Sequence, residues 1–144
     1  MKLSEIQQSW SVDSKIDRTE LGEESLKIPQ LHSKYFNIYS TERLLYKQFE
    51  AEYKKLYRLK YEYYMGQLSK DELVEHNWEP YQLKILKSDV PMYIDADTDV
   101  SDLKRKIHIQ EEKLEFLESI IKSLGNRGFQ LKTAVDWIKF TQGA

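Results

Sequence analysis

The sequence predicts an all-α, elongated chain built on two long helices with coiled-coil-like packing. Residues 31–65 contain no Gly or Pro and repeat apolar side chains at spacings of three and four. Residues 98–124 do the same, and no hairpin signal occurs in the chain. Of the 144 residues, 40% are hydrophobic and 32% are charged, which suits long amphipathic helices better than a thick globular core. We interpret the chain as a single domain with three segments: residues 1–66, 67–97 and 98–144.

The first segment is predicted to contain a short amphipathic helix over residues 3–12 and then a long one. Asp17 is a candidate helix start, because Glu20 follows it at capping-box spacing. Pro29 predicts a break or restart, since proline lacks the N–H that a helix interior needs. A helix of roughly 35 residues is therefore expected from Leu31, at about 1.5 Å per residue, and Gly66 is expected to end it.

The middle segment is predicted to be an irregular linker with one or two short helices. Pro80 and Pro91 limit the length of any helix there. Residues 91–94 are expected to be extended.

The last segment carries the most regular apolar repeat of the chain. Val100, Leu103, Ile107, Gln110, Leu114, Leu117, Ile121 and Leu124 alternate spacings of three and four. Such a heptad seam packs helix on helix, either within the chain or between chains. Gly125 and Gly128 predict a stop and turn, with a last helix from Phe129 to Phe140. The residues predicted to mediate oligomerisation are Leu114, Leu117, Ile121, Leu124, Phe129, Val135 and Ile138.

A basic–aromatic strip at residues 54–64 carries most of the functional argument. Its members are the cations Lys54, Lys55, Arg58 and Lys60 and the tyrosines Tyr57, Tyr61, Tyr63 and Tyr64. Cations neutralise phosphates and aromatic rings stack on unpaired bases, so the strip predicts single-stranded nucleic-acid binding. The alternative is a helix whose tyrosines face a partner helix and whose cations are merely solvated.

Other chemistry is not indicated by the sequence. There are no cysteines, the three histidines are scattered, and no phosphate-loop or nucleophile motif occurs. The acidic run from Asp95 to Asp99 resembles half of an EF-hand loop, but Val100 and Lys106 occupy the required glycine and glutamate positions. We therefore expect no catalytic residues, no metal, no cofactor, no membrane span and no enzyme activity.

Four stretches resemble the UvsY-type recombination mediator proteins of T-even-like bacteriophages. They are residues 31–37, 49–55, 58–66 and 126–132. The resemblance is nearly continuous over residues 1–66, fades across 67–118 and returns over 119–144. The family's basic-x-basic DNA-binding motif falls on Arg58 and Lys60, with the two cations exchanged relative to the family's usual order.

The resemblance implies a recombination mediator that binds single-stranded DNA. Such a protein helps to load a RecA-like phage recombinase onto strands covered by the phage single-strand-binding protein. It also implies a ring-like homo-oligomer, assembled partly through the C-terminal helix, in the cytoplasm of an infected bacterial host. The family motif implies that Arg58 and Lys60 contact DNA. The chemistry of the strip adds Lys54 and Lys55 as neighbouring cations and Tyr57 and Tyr61 as rings that stack on bases. A helical structural or adaptor protein of a phage assembly, which does not bind DNA, is the alternative.

Overall fold

The computed structural model describes residues 1–143, which form five α-helices and no β-strand. In chain order the helices are α1 (Leu3–Asp13), α2 (Leu21–Tyr64), α3 (Lys70–His76), α4 (Val90–Asp95) and α5 (Thr98–Thr141). One 3₁₀ turn, Lys87–Asp89, precedes α4. The prediction of an all-α chain with two long helices is confirmed.

The chain divides into two compact units. Unit 1 contains Met1–Leu45 together with the chain from Ile109 onwards, and unit 2 contains Tyr46–His108. Both long helices therefore contribute one part of their length to each unit.

Unit 1 has an aliphatic core to which α1, α2 and α5 contribute. Ile6, Tyr35, Leu117, Ile120 and Leu124 are at most 1% exposed and form one cluster. Leu117 and Leu124 of the heptad seam thus pack within the chain, one of the two arrangements that the spacing allows. The Tyr35 hydroxyl bonds the Asp13 carboxylate at 2.7 Å, and burial together with that neighbour raises the pKa of Tyr35 to about 12.

The predicted break at Pro29 is wrong, because α2 continues through it. Pro29 is exposed, so water can bond the backbone carbonyl that its missing N–H leaves unpaired. Burial of Tyr35, about two turns further along α2, favours continuation of the helix through Pro29. Asp17 organises the turn before α2, where its carboxylate accepts bonds from the backbone and hydroxyl of Thr19.

The predicted turn at Gly125–Gly128 is also wrong, because α5 runs through both glycines with neither at positive φ. Arg127 explains the continuity. It is only 3% exposed, and its guanidinium donates to the carbonyls of Asp13 and Ser14 at 3.2 and 3.1 Å. These carbonyls end α1 and have no partner inside that helix. The contact offsets part of a helix penalty of about 1 kcal/mol per glycine, and burial of Leu124 and Leu131 on either side also favours continuation of the helix.

The polar member of the seam, Gln110, is matched by a buried acid. The Gln110 amide donates to the carboxylate of Glu42 at 2.6 Å and to its backbone carbonyl at 2.7 Å. Burial raises the pKa of Glu42, but the bond from Gln110 and the charge of Lys113 outweigh it and leave the pKa lowered. A satisfied polar pair of this kind fixes helix register.

Unit 2 has a smaller core with many aromatic rings around it. Val90, Ile94 and Val100 are fully buried, and four tyrosines of α2 pack against them. The extended conformation predicted for residues 91–94 is wrong, because they lie in α4. Pro91 occupies the first turn, where its missing N–H costs nothing, and Val90 and Ile94 bury one face.

The end of α2 follows the sequence prediction. Gly66 has a φ of 71° and lies just after the helix. The N–H groups of Gly66 and Gln67 bond back to the carbonyls of Tyr63 and Glu62 at 3.0 and 2.9 Å. This pattern is a Schellman motif, which requires the left-handed backbone that glycine adopts readily.

Candidate nucleic-acid interface

The basic–aromatic strip forms the last three turns of α2, within unit 2. Lys54, Lys55 and Arg58 are exposed, and their spacings of three and four place them on one side of the helix. Within the described part of the chain, no ion pair involves Lys54 or Lys55. This side of α2 therefore presents three cations to solvent.

Arg58 has one nearby partner, which can be displaced easily. Its side chain is 85% exposed and its Nε lies 3.3 Å from a carboxylate oxygen of Glu62. A surface pair one helical turn apart contributes at most about 1 kcal/mol. A phosphate, which accepts bidentate bonds from guanidinium, can replace Glu62 at little cost.

Lys60 has a different environment from the other three cations. Its side chain is 5% exposed, and its ammonium lies 3.1 Å from the carboxylate of Asp97 and 2.9 Å from that of Asp99. The same ammonium lies over the ring of Trp78, 3.8 Å from its centroid. Lys60 is therefore internal to unit 2, and direct contact with DNA, as the sequence predicted for it, does not fit this arrangement.

Asp97 connects Lys60 to the start of α5. Its Oδ1 accepts the backbone N–H groups of Asp99 and Val100 at 2.9 and 3.3 Å, the bonds of an N-cap residue. Its Oδ2 accepts the hydroxyl of Tyr64 at 2.7 Å. Burial raises the pKa of Asp97, but the bonds from Tyr64 and Lys60 and the charge of Lys60 outweigh it, so the pKa is lowered.

The two tyrosines predicted to stack on bases are engaged within the protein. Tyr57 and Tyr61 are half-buried and pack against the core of unit 2. The ring of Tyr57 also lies 6.1 Å from that of Tyr53. Each keeps part of its surface exposed beside the cations.

The irregular segment brings to the end of α2 an aromatic group that the sequence pattern did not predict. The rings of Trp78 and Tyr81 lie 5.2 and 5.8 Å from the ring of Tyr63, and Tyr81 lies 4.9 Å from Tyr64. The only signal was the density of aromatic residues around Pro80. The fold of this segment had no periodic pattern from which to place them.

The residues predicted for oligomerisation fall into two groups. Leu117 and Leu124 are buried within unit 1, and Leu114, Ile121 and Val135 are partly buried. Phe129 and Ile138 are 75% and 38% exposed. The exposed aromatics Trp137 and Phe140 lie on the same last turns of α5. Burial in one chain accounts for the first group, whereas Phe129 stays largely exposed and Ile138 partly exposed among residues 1–143.

Two further properties follow from residues 1–143. No group of three or more His, Asp or Glu side chains among them is arranged to hold a metal ion. None of the helices in that range has an apolar stretch long enough to cross a bilayer.

The fold and the strip define a class of protein: an all-α chain that displays cations beside aromatic rings on a long helix, a surface suited to single strands. The chain belongs to the family described as "Recombination, repair and ssDNA binding protein UvsY", whose profile matches residues 9–144. The curated relative "Recombination protein uvsY" of Enterobacteria phage T4 is 27% identical over 143 residues, and the alignment covers 99% of both chains.

Solved structures agree with this assignment. The crystal structure of the bacteriophage T4 recombination mediator protein UvsY in lattice type II matches with a TM-score of 0.84 and 25% identity, over 99% of this chain and 98% of that one. The lattice type IV structure matches with a TM-score of 0.85 and 24% identity, over 97% and 99%. At 24% identity, the match to the lattice type IV structure shows a likeness of fold alone.

Proposed function

We propose that this protein is a recombination mediator that binds single-stranded DNA and helps to load a RecA-like recombinase onto strands covered by single-strand-binding protein. Its membership of an ssDNA-binding family and its likeness to a phage recombination mediator support this. The observation that carries the proposal is the exposed row of Lys54, Lys55 and Arg58 on one side of α2.

The cations of the strip have two roles in this proposal. Lys54, Lys55 and Arg58 contact phosphates, and Arg58 exchanges its bond to Glu62 for a phosphate oxygen. Lys60 is a positioning residue, because its ammonium is held between Asp97, Asp99 and Trp78. Tyr57 and Tyr61 lie beside the exposed row and contact bases with their remaining exposed surface.

Assembly strengthens a surface that is weak in one copy. The whole chain has a net charge of −2, so only the local excess of cations attracts DNA. A ring-like homo-oligomer repeats that surface, and linked contacts raise avidity by about 10²–10⁴. The exposed side chains of Phe129 and Ile138 are suited to the contact between copies.

The mediator acts by handing over the strand rather than by a chemical step. A strand bound along repeated cationic rows is bent and extended, which loosens the single-strand-binding protein and presents the bases to the recombinase. The site of action is the cytoplasm of an infected bacterium, where those partners occur.

The test is fluorescence-anisotropy binding to a single-stranded oligonucleotide at 50 and 200 mM salt. The triple variant Lys54→Ala/Lys55→Ala/Arg58→Ala removes the exposed row and leaves Lys60 in place. Its affinity should collapse, and the slope of log affinity against log salt should become shallower by about two, at roughly 0.7 per phosphate contact. Light scattering confirms that each variant remains assembled.

The matched control removes three exposed lysines outside the strip, Lys70, Lys106 and Lys122. The control should bind nearly as well as the wild-type protein. If both triple variants lose affinity equally, only overall charge matters and the strip is not the interface. An assembled wild-type protein that binds no DNA at low salt would favour the structural adaptor instead.

A further inference from the structure

Unit 2 has a second feature next to the strip, a cavity of about 460 Å³ beside the end of α2. The lining residues are Tyr64, Met65, Gly66, Tyr81, Gln82, Leu83, Lys84 and Ile85. The volume lies within the range typical of small-molecule sites, about 300–1,000 Å³, and is ample for one nucleobase.

The cavity lies at the end of the helix side that carries Lys54 and Arg58. Lys54, Arg58, Tyr61 and Met65 follow one another at spacings of four, three and four, so they lie along the same side of the helix. Met65 is the last of this row and lines the cavity. At about 1.5 Å per residue, Arg58 and Met65 are about 10 Å apart along the axis, a distance that one or two nucleotides span.

The lining has the chemistry that an unstacked base requires. Tyr64 and Tyr81 provide aromatic rings, and Met65 provides a polarisable thioether that packs well against flat rings. The Gln82 amide can both donate to and accept from a base edge. Lys84 is exposed at the rim, and no carboxylate is among the lining residues.

We propose that this cavity receives a base of the bound single strand, and that Tyr81 stacks on it. The inference rests on the proposed function and identifies where that function engages bases. The strip's tyrosines Tyr57 and Tyr61 are half-buried against the core of unit 2, so only their exposed parts can contact bases. The cavity adds the ring of Tyr81, from the irregular segment, to that of Tyr64 at the end of the strip.

Charge favours a nucleotide over a protein side chain as the occupant. The exposed cations Lys54, Lys55 and Arg58 lead to the cavity along α2, and Lys84 lies at its rim. A polyanion that carries flat rings matches both the row and the cavity. A side chain from a second copy would fill the cavity without using the cations.

The first test is photo-crosslinking of the wild-type protein to a single-stranded oligonucleotide that carries 5-iododeoxyuridine, with the crosslinked peptide mapped by mass spectrometry. Crosslinks within residues 64–66 or 81–85 are expected. Crosslinks confined to Tyr57, Tyr61 or unit 1 would overturn the cavity proposal while leaving DNA binding intact. Absence of any oligonucleotide binding would overturn the proposed function itself.

The second test compares the affinity for oligothymidine with that for an abasic oligonucleotide of equal length. Tyr81→Leu should reduce the ratio of the two affinities by about tenfold, because only stacking on bases is lost. Tyr93→Leu is the matched control, because Tyr93 contacts the rings of Tyr64 and Tyr81 without lining the cavity.

An unchanged ratio in a folded Tyr81→Leu variant would overturn the proposal, and so would an equal loss in Tyr93→Leu. If Tyr81→Leu does not fold, the crosslink map of the wild-type protein decides by itself. Lys84→Ala offers a milder change at the rim. It should weaken binding to both oligonucleotides alike and leave their ratio unchanged.

Discussion

The cores of the two units are built from different chemistry. Unit 1 buries a mainly aliphatic cluster, Ile6, Leu117, Ile120 and Leu124, around Tyr35. Unit 2 buries three aliphatic residues and, beside them, the ammonium of Lys60 between two aspartates and the ring of Trp78. The same helix, α2, contributes to both cores.

The difference shows that two cations on one partly buried helix can have different roles, one at the surface and one in a core. An aliphatic core gains free energy from removal of apolar area, which depends little on pH or salt. A buried ion pair is held by geometry, and loss of one partner leaves an uncompensated charge. Arg58 and Lys60, only two residues apart, therefore belong to different surfaces of the protein.

The largest effect should come from the aliphatic core. Leu117→Ala removes a fully buried side chain and should lower the free energy of unfolding by about 3 kcal/mol, from lost transfer energy and the cavity left behind. Urea unfolding followed by circular dichroism measures it. Leu44→Ala, at a site 69% exposed, is the control and should cost less than about 0.5 kcal/mol. Equal losses would contradict the assignment of this core.

The buried cation should come next. Lys60→Met keeps most of the length of the side chain but leaves Asp97 and Asp99 without their counter-charge, and should cost about 2–3 kcal/mol in urea unfolding. This lies below the usual range for a buried pair, because Asp99 is half-exposed and Asp97 keeps its other bonds. Trp78 fluorescence, read in a Trp10→Phe/Trp137→Phe background, reports on the site.

The control for that variant is Lys55→Met on the exposed side of the same helix, which should leave the unfolding curve unchanged. The direction of change in DNA affinity in a second variant distinguishes a positioning role of Lys60 from a simple effect of charge. Asp99→Asn removes a negative charge, so simple electrostatics predicts tighter DNA binding. If Lys60 and its aspartates position the interface, Asp99→Asn should weaken binding instead. Tighter binding would refute the positioning role.

Arg127 should have a smaller effect that is confined to unit 1. Arg127→Met leaves the carbonyls of Asp13 and Ser14 without their donors and should cost about 1–2 kcal/mol. Hydrogen exchange of the amides of α1 measures it, and protection should fall there before it falls in unit 2. Lys132→Met, an exposed cation on the same helix, is the control. Equal loss of protection in both units would contradict a local role.

The smallest effect should be the pH dependence contributed by Asp97. Its folded pKa is lowered, so the unfolded chain binds the proton more readily than the folded one. The stabilisation is present above the unfolded pKa, near 3.9, and is lost as the pH falls through the lower folded value. Unfolding curves at steps from pH 6 to 2.5 should show a steeper fall for the wild-type protein than for Asp97→Asn. An equal fall in stability with pH for the wild-type protein and Asp97→Asn would refute the contribution of Asp97.

Much of the architecture could be predicted from the sequence. The absence of Gly and Pro over residues 31–65, the heptad seam from Val100 to Leu124, and Gly66 as the end of a helix all describe local geometry, which follows from spacing and backbone freedom. The family likeness also followed from local motifs. These features depend on residues within a few turns of one another.

The errors at Pro29 and at Gly125 concern contacts between residues far apart in the chain. Whether α2 ends at Pro29 or α5 at Gly125 depends on the burial of Tyr35 and on Arg127 bonding to Asp13, partners that no local pattern reveals. In the sequence, Lys60 and Arg58 have neighbours of the same residue types. Only the approach of Asp97, 37 positions further along the chain, separates a buried cation from an exposed one.

The sequence by itself therefore determined the helical class, the heptad seam and the presence of a basic–aromatic strip, because helix periodicity and charge are local properties. The tertiary structure alone decided which cations of the strip face solvent, which tyrosines are engaged in the core, and where an aromatic cavity forms beside them. Those outcomes depend on long-range packing, in which burial and pairing outweigh the intrinsic preferences of each residue.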